Sequence, residues 1–387
     1  MYNIRLLNKI SSKGLEVLDK SRYSIGEGIN NPDAILLRSF SMHEMELPDS
    51  LKAVARAGAG VNNIPIEKCS ERGIVVFNTP GANANAVKEL TVTAMFLSSR
   101  KIVDSILWSR ALSCGPEEIN QLVEKGKGKF AGPEIKGKKL GVIGLGAIGV
   151  MVANAAKSLG MEVLGFDPYI SVDSAWGLSR SVTKAESLKT LLESSDYITL
   201  HVPLMESTRN MINTEVFKLM KKGVRLLNFS RGELVDAGDL KKALDEGVVG
   251  VYATDFPDVE LLQMDNVIAF PHIGASTPES EENCAAMASN QIKSFLEWGA
   301  IRNSINFPNC DLGGAFKHRI TLAHLNIPNM VGQITAILAF ENINICDMIN
   351  KSKDKLAYTI IDTDILLPLH TVKKLKSISS MLKVRVL

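Results

Sequence analysis

Apolar Leu140–Ile143 runs straight into Gly144-Leu145-Gly146-Ala147-Ile148-Gly149, and Val152, Ala155, Ala156 and Leu159 then recur at helical spacing. Strand, glycine turn and helix in that order open a βαβ unit, and such units build parallel sheets covered by helices. The glycines serve the tight turn, close approach of the backbone to a ligand, and packing of helix on strand. Free N–H groups and the positive dipole end at the helix start suit an anion such as a pyrophosphate. The next strand, Glu162–Phe166, ends in Asp167, 18 residues past Gly149 (167 − 149). A carboxylate there accepts hydrogen bonds from an adenosine ribose and repels a 2′-phosphate, which favours NAD over NADP. A glycine turn without ligand is the plainer alternative; strand, turn, helix and acid together weigh against it.

The same alternation covers most of the 387 residues, a length that suits two or three domains. Strands are expected at Asn3–Leu7, Ala34–Leu37, Lys52–Ala55 and Ile74–Phe77, with a helix from about Ala86 to Ser99 and an exposed connection from Glu124 to Lys139. A second set is expected at Leu140–Ile143, Glu162–Phe166, Tyr197–Val202, Arg225–Phe229, Val249–Thr254 and Val267–Ala269. Thr277-Pro278-Glu279 carries a cap, a first-turn proline and an acid, and opens a helix to about Trp298. After a stretch at 306–314, the order becomes strand (His318–Asn326), helix (Asn329–Asn342), two strands (Asn344–Lys351, Leu356–Asp364), helix (Thr371–Ser379) and strand (Leu382–Leu387). This β-α-β-β-α-β order is ferredoxin-like. The expectation is an α/β chain: two Rossmann-like or flavodoxin-like doubly wound parallel-sheet domains and a C-terminal ferredoxin-like domain. Residues 1–92 with about 288–308 would form the first, 93–287 the second and 318–387 the third, with 309–317 as linker.

A net charge of +2, with 45% hydrophobic and 22% charged residues, offers no basic field for nucleic acid or a membrane surface. The cysteines at 69, 114, 284, 310 and 346 are odd in number and form no C-x-x-C pair, so neither a disulfide framework nor a metal site is expected, and a reducing cytoplasm fits. The first residues have no signal-like pattern, and Ala82–Ser99 is broken by Lys88 and Glu89, too charged for a membrane span.

Three further signals fall at expected strand ends, where ligands sit in open α/β sheets. They are Asn228–Asp236, containing Arg231; Ala253–Glu260, containing Asp255, Asp258 and Glu260; and Pro271–Thr277, containing His272. A guanidinium presents a planar fork suited to a carboxylate beside a carbonyl. Hydride transfer to a ketone needs a proton delivered to the oxygen, and histidine supplies one near neutral pH. A carboxylate on its other ring nitrogen fixes the tautomer. Arginine, acid and histidine thus match 2-oxoacid reduction, whereas a lone His272 would read as a surface-loop residue.

The Gly144–Gly149, Asn228–Asp236 and Pro271–Thr277 stretches resemble the motifs of the D-2-hydroxyacid dehydrogenase family, along essentially the whole chain. The resemblance implies Arg231 as the substrate-orienting residue, Glu260 as histidine partner and His272 as acid/base. It implies a cofactor site of Gly144, Gly146, Ala147, Ile148, Gly149 and Asp167 with Thr79, Val202, Pro203, Phe229, Ser230, Asp255, Gly274 and Ala275. Spacing from Asp255 selects Glu260. Phe256 sits one position early for the family pattern, so matching the aromatic would select Val259, and Asp258 is a further candidate.

The loops Arg56–Asn63 and Asn78–Asn85 resemble substrate loops of the members that act on 3-phospho-D-glycerate, which implies Arg38, Arg56, Ala57, Gly58 and Asn83, with Arg231 and His272, as substrate contacts. The alternatives are reduction of hydroxypyruvate, glyoxylate or another small 2-oxoacid, and an NAD-sensing co-repressor of the same fold. The C-terminal order resembles an ACT regulatory module. His324 and Asn326, with Asn344, are similar to a serine-sensing pattern, although Asn329 replaces the usual glycine. An L-serine effector and a homodimer or homotetramer are therefore expected partners, beside a small anionic hydroxy or oxo acid.

Overall fold

The computed structural model describes residues 1–387. They form two compact units, Met1–Asn83 with Pro278–Leu387, and Ala84–Thr277. The helices Ala84–Ser99 and Pro278–Trp298 therefore each belong whole to one unit, whereas divisions at 92/93 and 287/288 would cut them.

In the first unit, strands β1 (Tyr2–Leu7), β2 (Tyr23–Gly26), β3 (Ala34–Leu37), β4 (Ala53–Arg56) and β5 (Val75–Phe77) form a parallel sheet in the order β2-β1-β3-β4-β5. The interior strand β3 is buried at all four residues, as a strand covered on both faces must be. The helix Pro278–Trp298 covers one face: Ala285, Ala288, Ile292 and Phe295 share a core with Ile4, Leu36, Ala55 and Phe77. The short helix Ser12–Leu15 packs against it, and Gly14 permits that approach, since a Cβ there would lie 2.3 Å from that of Ala285. Ile35, Leu37, Val54 and Val76 bury the other face.

The second unit holds seven parallel strands: β6 (Lys139–Ile143), β7 (Glu162–Phe166), β8 (Thr183–Lys184), β9 (Tyr197–Leu200), β10 (Val224–Asn228), β11 (Val249–Thr254) and β12 (Val267–Ala269). Their order is β12-β11-β10-β9-β6-β7-β8, so the winding reverses at β6, the point where doubly wound sheets take ligands. Val87, Ala94, Met95, Val152 and Ala156 of two helices pack on one face, and Leu191, Leu192, Phe217, Leu240 and Ala243 on the other. β2 and β8 lie outside the sequence expectation. Both are edge strands, one half-buried and one exposed, and neither carries an apolar run. The exposed connection at 124–139 starts helical: Ile119–Gly126 and a 3-10 turn Lys127–Phe130 bury no residue.

The C-terminal strands β13 (His318–Leu325), β14 (Ile345–Lys353), β15 (Leu356–Thr363) and β16 (Met381–Val386) form the expected antiparallel sheet, ordered β14-β15-β13-β16. Helices Met330–Phe340 and Leu369–Lys376 pack on it through Met330, Ile334, Leu338 and Leu375. Its opposite face joins the core of the first sheet through Ala323, Tyr358 and Ile360. The segment 309–317 is therefore no free linker: Cys310 is buried in that shared core, and Asp311 pairs with Arg302. Arg319, 1% exposed, is held bidentately by Asp362 and donates to the carbonyls of Trp298 and Gly313. No helix is long and apolar enough to cross a membrane.

Candidate active site

In the second unit every motif follows the carboxyl end of a strand. After β6, Gly144 adopts φ +91, and a Cβ there would meet the His201 carbonyl oxygen at 2.6 Å. Gly149 packs as closely, 2.0 Å from the Gly144 carbonyl oxygen to an added Cβ. At Gly146 an added Cβ meets nothing within 4 Å, so this backbone is open to a ligand. The helix Ala147–Ser158 starts there, and its first internal bond runs from the Val150 N–H to the Gly146 carbonyl. The amides of Ala147, Ile148 and Gly149 precede that bond and have no partner inside the helix. Asp167, ending β7, accepts one amide on each oxygen, from Leu145 and from Tyr169, both at 2.8 Å. Each oxygen keeps a lone pair for a hydroxyl. Open backbone, unpaired amides and an anchored carboxylate fit a dinucleotide.

Beyond β9 come His201, Val202 and Pro203. His201 stands against Gly144, and its Nε2 lies 2.9 Å from the Thr199 hydroxyl. Burial pushes its pKa down to about 3, and its Nδ1 is buried without a hydrogen-bond partner. The ring is therefore neutral throughout the working pH range. Sequence reading assigned no role to His201, and Asn228 entered only as the first residue of the Asn228–Asp236 stretch. Asn228, fully buried at the end of β10, donates to the Arg231 carbonyl at 2.8 Å and accepts the Ser230 amide at 3.2 Å. Ser230 donates to the Leu200 carbonyl at 2.8 Å, tying this turn to β9, while Phe229 is buried against Phe270. Arg231 leaves the turn exposed, its Nη1 donating to the Ser230 carbonyl at 2.6 Å.

Asp255, at the end of β11, is buried and accepts the amides of Ile273 at 2.8 Å and Gly274 at 2.7 Å. Burial pushes its carboxyl up; these amides, and His272, pull it back. His272 itself is exposed, at φ +55, with its ring centroid 5.0 Å from that of Phe256. Asp255 thus fixes the turn that carries His272, Gly274 and Ala275. Glu260 is exposed and makes no hydrogen bond or ion pair with His272. Asp258 accepts the Leu261 amide at 2.8 Å, and Glu260 stands as the residue that opens the 3-10 turn Leu261–Gln263.

In the first unit, β3 and β4 end side by side at Arg38 and Arg56. The Arg56 Nε donates to the Arg38 carbonyl at 2.9 Å, the Ala57 amide donates to Leu37, and Gly58 leaves room for the Arg56 guanidinium, which an added Cβ would meet at 2.4 Å. Arg38 is paired with Glu281, a residue that sequence reading did not single out. Thr79 is buried with its hydroxyl unpartnered, and Asn83 closes the loop after β5.

The C-terminal residues do not converge within one chain. His324 is buried, its nitrogens 2.8 Å from the Leu325 carbonyl and 2.9 Å from the Thr359 hydroxyl, and burial lowers its pKa. Asn326 donates to the Asp354 carbonyl. His324 sits opposite Ala357 and Asn344 bonds Asp364, seven residues further along (364 − 357), which is roughly 20 Å of strand. No group of side chains could hold a metal ion.

Residues 99–274 match the model of the D-isomer specific 2-hydroxyacid dehydrogenase NAD binding domain. The chain is 37% identical over 319 residues to D-3-phosphoglycerate dehydrogenase of Methanocaldococcus jannaschii, covering 80% of this chain and 58% of that relative. It thus spans under six-tenths of the relative's length. Its similarity to the Haemophilus influenzae D-3-phosphoglycerate dehydrogenase is 31% over 382 residues, 93% of this chain and 88% of that one. Among solved structures, NAD+-bound 3-phosphoglycerate dehydrogenase of Entamoeba histolytica superposes with a TM-score of 0.61 at 26% identity, covering 80% of this chain and 99% of that chain. The glycine turn, the strand-end residues and these similarities lead to one conclusion: the chain belongs to the D-isomer specific 2-hydroxyacid dehydrogenase family and carries its NAD-binding domain.

Proposed function

We propose that this protein oxidises the C2 hydroxyl of 3-phospho-D-glycerate to give 3-phosphohydroxypyruvate, with NAD as hydride acceptor. The observation that carries the reading is His272: an exposed imidazole on a turn anchored by buried Asp255, in the same unit as the dinucleotide turn. Gly144–Gly149 and Asp167 would hold the cofactor, which supplies the electrophilic carbon that takes the hydride. Arg231 would pair with the substrate carboxylate and orient the C2 oxygen. His272 would take the hydroxyl proton as the C2–H pair leaves and the C=O bond forms. Glu260 is kept as the carboxylate that stabilises the resulting imidazolium, and Glu260→Gln should then lower kcat. An unaltered kcat assigns that task to Asp255. Arg38 and Arg56 would meet the phosphate. The similarities to D-3-phosphoglycerate dehydrogenases support this substrate over an unphosphorylated one.

The test is NADH absorbance with phosphohydroxypyruvate, hydroxypyruvate and glyoxylate, with and without L-serine. A clear kcat/KM advantage for the phosphorylated compound is expected, and equal rates reject the substrate. The exposed edge strand β14 supports pairing with a second copy. An L-serine site using His324, Asn326 and Asn344 together would require such a copy, given their separation in one chain.

A further inference from the structure

Two guanidiniums, Arg38 and Arg56, sit at adjacent strand ends in the first unit. Hydrogen bonds fix their backbone: Arg56 Nε and Asn63 Nδ2 both donate to the Arg38 carbonyl, at 2.9 and 3.1 Å. Asn63 also donates to the Phe40 carbonyl at 2.7 Å, so the loop after β3 is held at three points. The Arg38 guanidinium does not stand alone. Its Nη1 bonds the Glu281 carboxylate, which lies near the start of the helix Pro278–Trp298 and is anchored by the packing of that helix on the first sheet. Both side chains are partly solvent-exposed, so an incoming anion can reach them.

We propose that Glu281 is a specificity-determining residue that competes with the anionic tail of the substrate for Arg38. The inference rests on the proposed use of Arg38 and Arg56 for the phosphate. On that use, the phosphate dianion would meet the Arg38 guanidinium, which already pairs with the Glu281 carboxylate. A phosphorylated substrate must displace Glu281 or accept its repulsion, whereas an unphosphorylated 2-oxoacid meets neither cost at this point. The residue thereby restrains the preference for phosphorylated over unphosphorylated acids. Exposed ion pairs are weak, so the restraint is modest and fades with added salt.

The experiment compares the full chain with Glu281→Gln and, as a control, Arg38→Ala. Steady-state KM and kcat are measured with phosphohydroxypyruvate and hydroxypyruvate, and binding of inorganic phosphate by calorimetry. For Glu281→Gln, KM for phosphohydroxypyruvate should fall about two- to five-fold. The shift should appear in KM rather than kcat, be smaller for hydroxypyruvate, and shrink at high ionic strength. Arg38→Ala should raise the same KM. An unchanged or raised KM for the phosphorylated compound in Glu281→Gln overturns the proposal. If the unaltered chain turns over neither compound, the functional reading fails by itself. The calorimetry then decides alone: tighter inorganic phosphate in Glu281→Gln supports the competition, and equal or weaker binding rejects it.

Discussion

Replacing His201 by glutamine should remove part of the acid sensitivity of the fold. In the native chain, burial holds this imidazole neutral with a pKa of about 3, against the ordinary value of 6.5 once unfolded. Between those values the unfolded chain binds the proton more tightly, so stability falls as pH drops through this window and is fully present above it. From about pH 7 to about pH 5 the single group costs about 2 kcal/mol, at about 1.4 kcal/mol per pKa unit. Glutamine can still meet the Thr199 hydroxyl but carries no titrating proton. Urea unfolding at both pH values, for native and variant chains, isolates the effect, because every other titrating group contributes equally to both. The native chain should lose about 2 kcal/mol more than His201→Gln over that interval. Equal losses in the two proteins would refute the claim that this ring is kept neutral by its surroundings.

Three other outcomes follow from the site. His272→Ala should cut turnover at least about a hundred-fold while NADH binding, read by fluorescence titration, stays nearly intact; an active variant removes the proton-transfer step. Gly146→Val should leave the melting temperature almost unchanged yet abolish NADH binding, because an added side chain meets only open space where the ligand would approach; Gly149→Val should instead unfold the unit, its Cβ lying 2.0 Å from a carbonyl oxygen. Asp255→Asn leaves one of the two turn amides without an acceptor, at about 1–3 kcal/mol, and should lower kcat/KM in proportion; full activity would show that the turn holds its shape without that carboxylate.

The parallel architecture was legible because buried strands such as Ala34–Leu37 and Tyr197–Leu200 are short, largely apolar runs bounded by polar residues. The turn Gly144–Gly149 could also be read, since Gly144 and Gly149 are required by contacts of 2.6 and 2.0 Å that an added Cβ would not tolerate. What escaped was pairing between segments distant in sequence. Nothing local marks Glu281 as the partner of Arg38, or Asp255 as the acceptor of the Ile273 and Gly274 amides. Spacing selects Glu260, and the Asp258 carboxylate caps the turn just after it. The three C-terminal polar residues form one pattern in sequence, yet strand pairing sets Asn344 far from His324 and Asn326. Cys310 reads as loop by composition and is buried in a core that Tyr358 joins from a later strand.

The C-terminal sheet is fused to the first sheet rather than tethered. Arg385 of β16 donates to the carbonyls of Phe295 and Leu296, and Tyr358 packs on Phe295 and Phe307. Cutting the chain after residue 308 would strip an apolar face from the helix Pro278–Trp298 and orphan its last carbonyls. A shortened chain would therefore aggregate instead of yielding a minimal version. By the same route, any ligand that strains the C-terminal sheet pulls directly on the helix that bears Glu281.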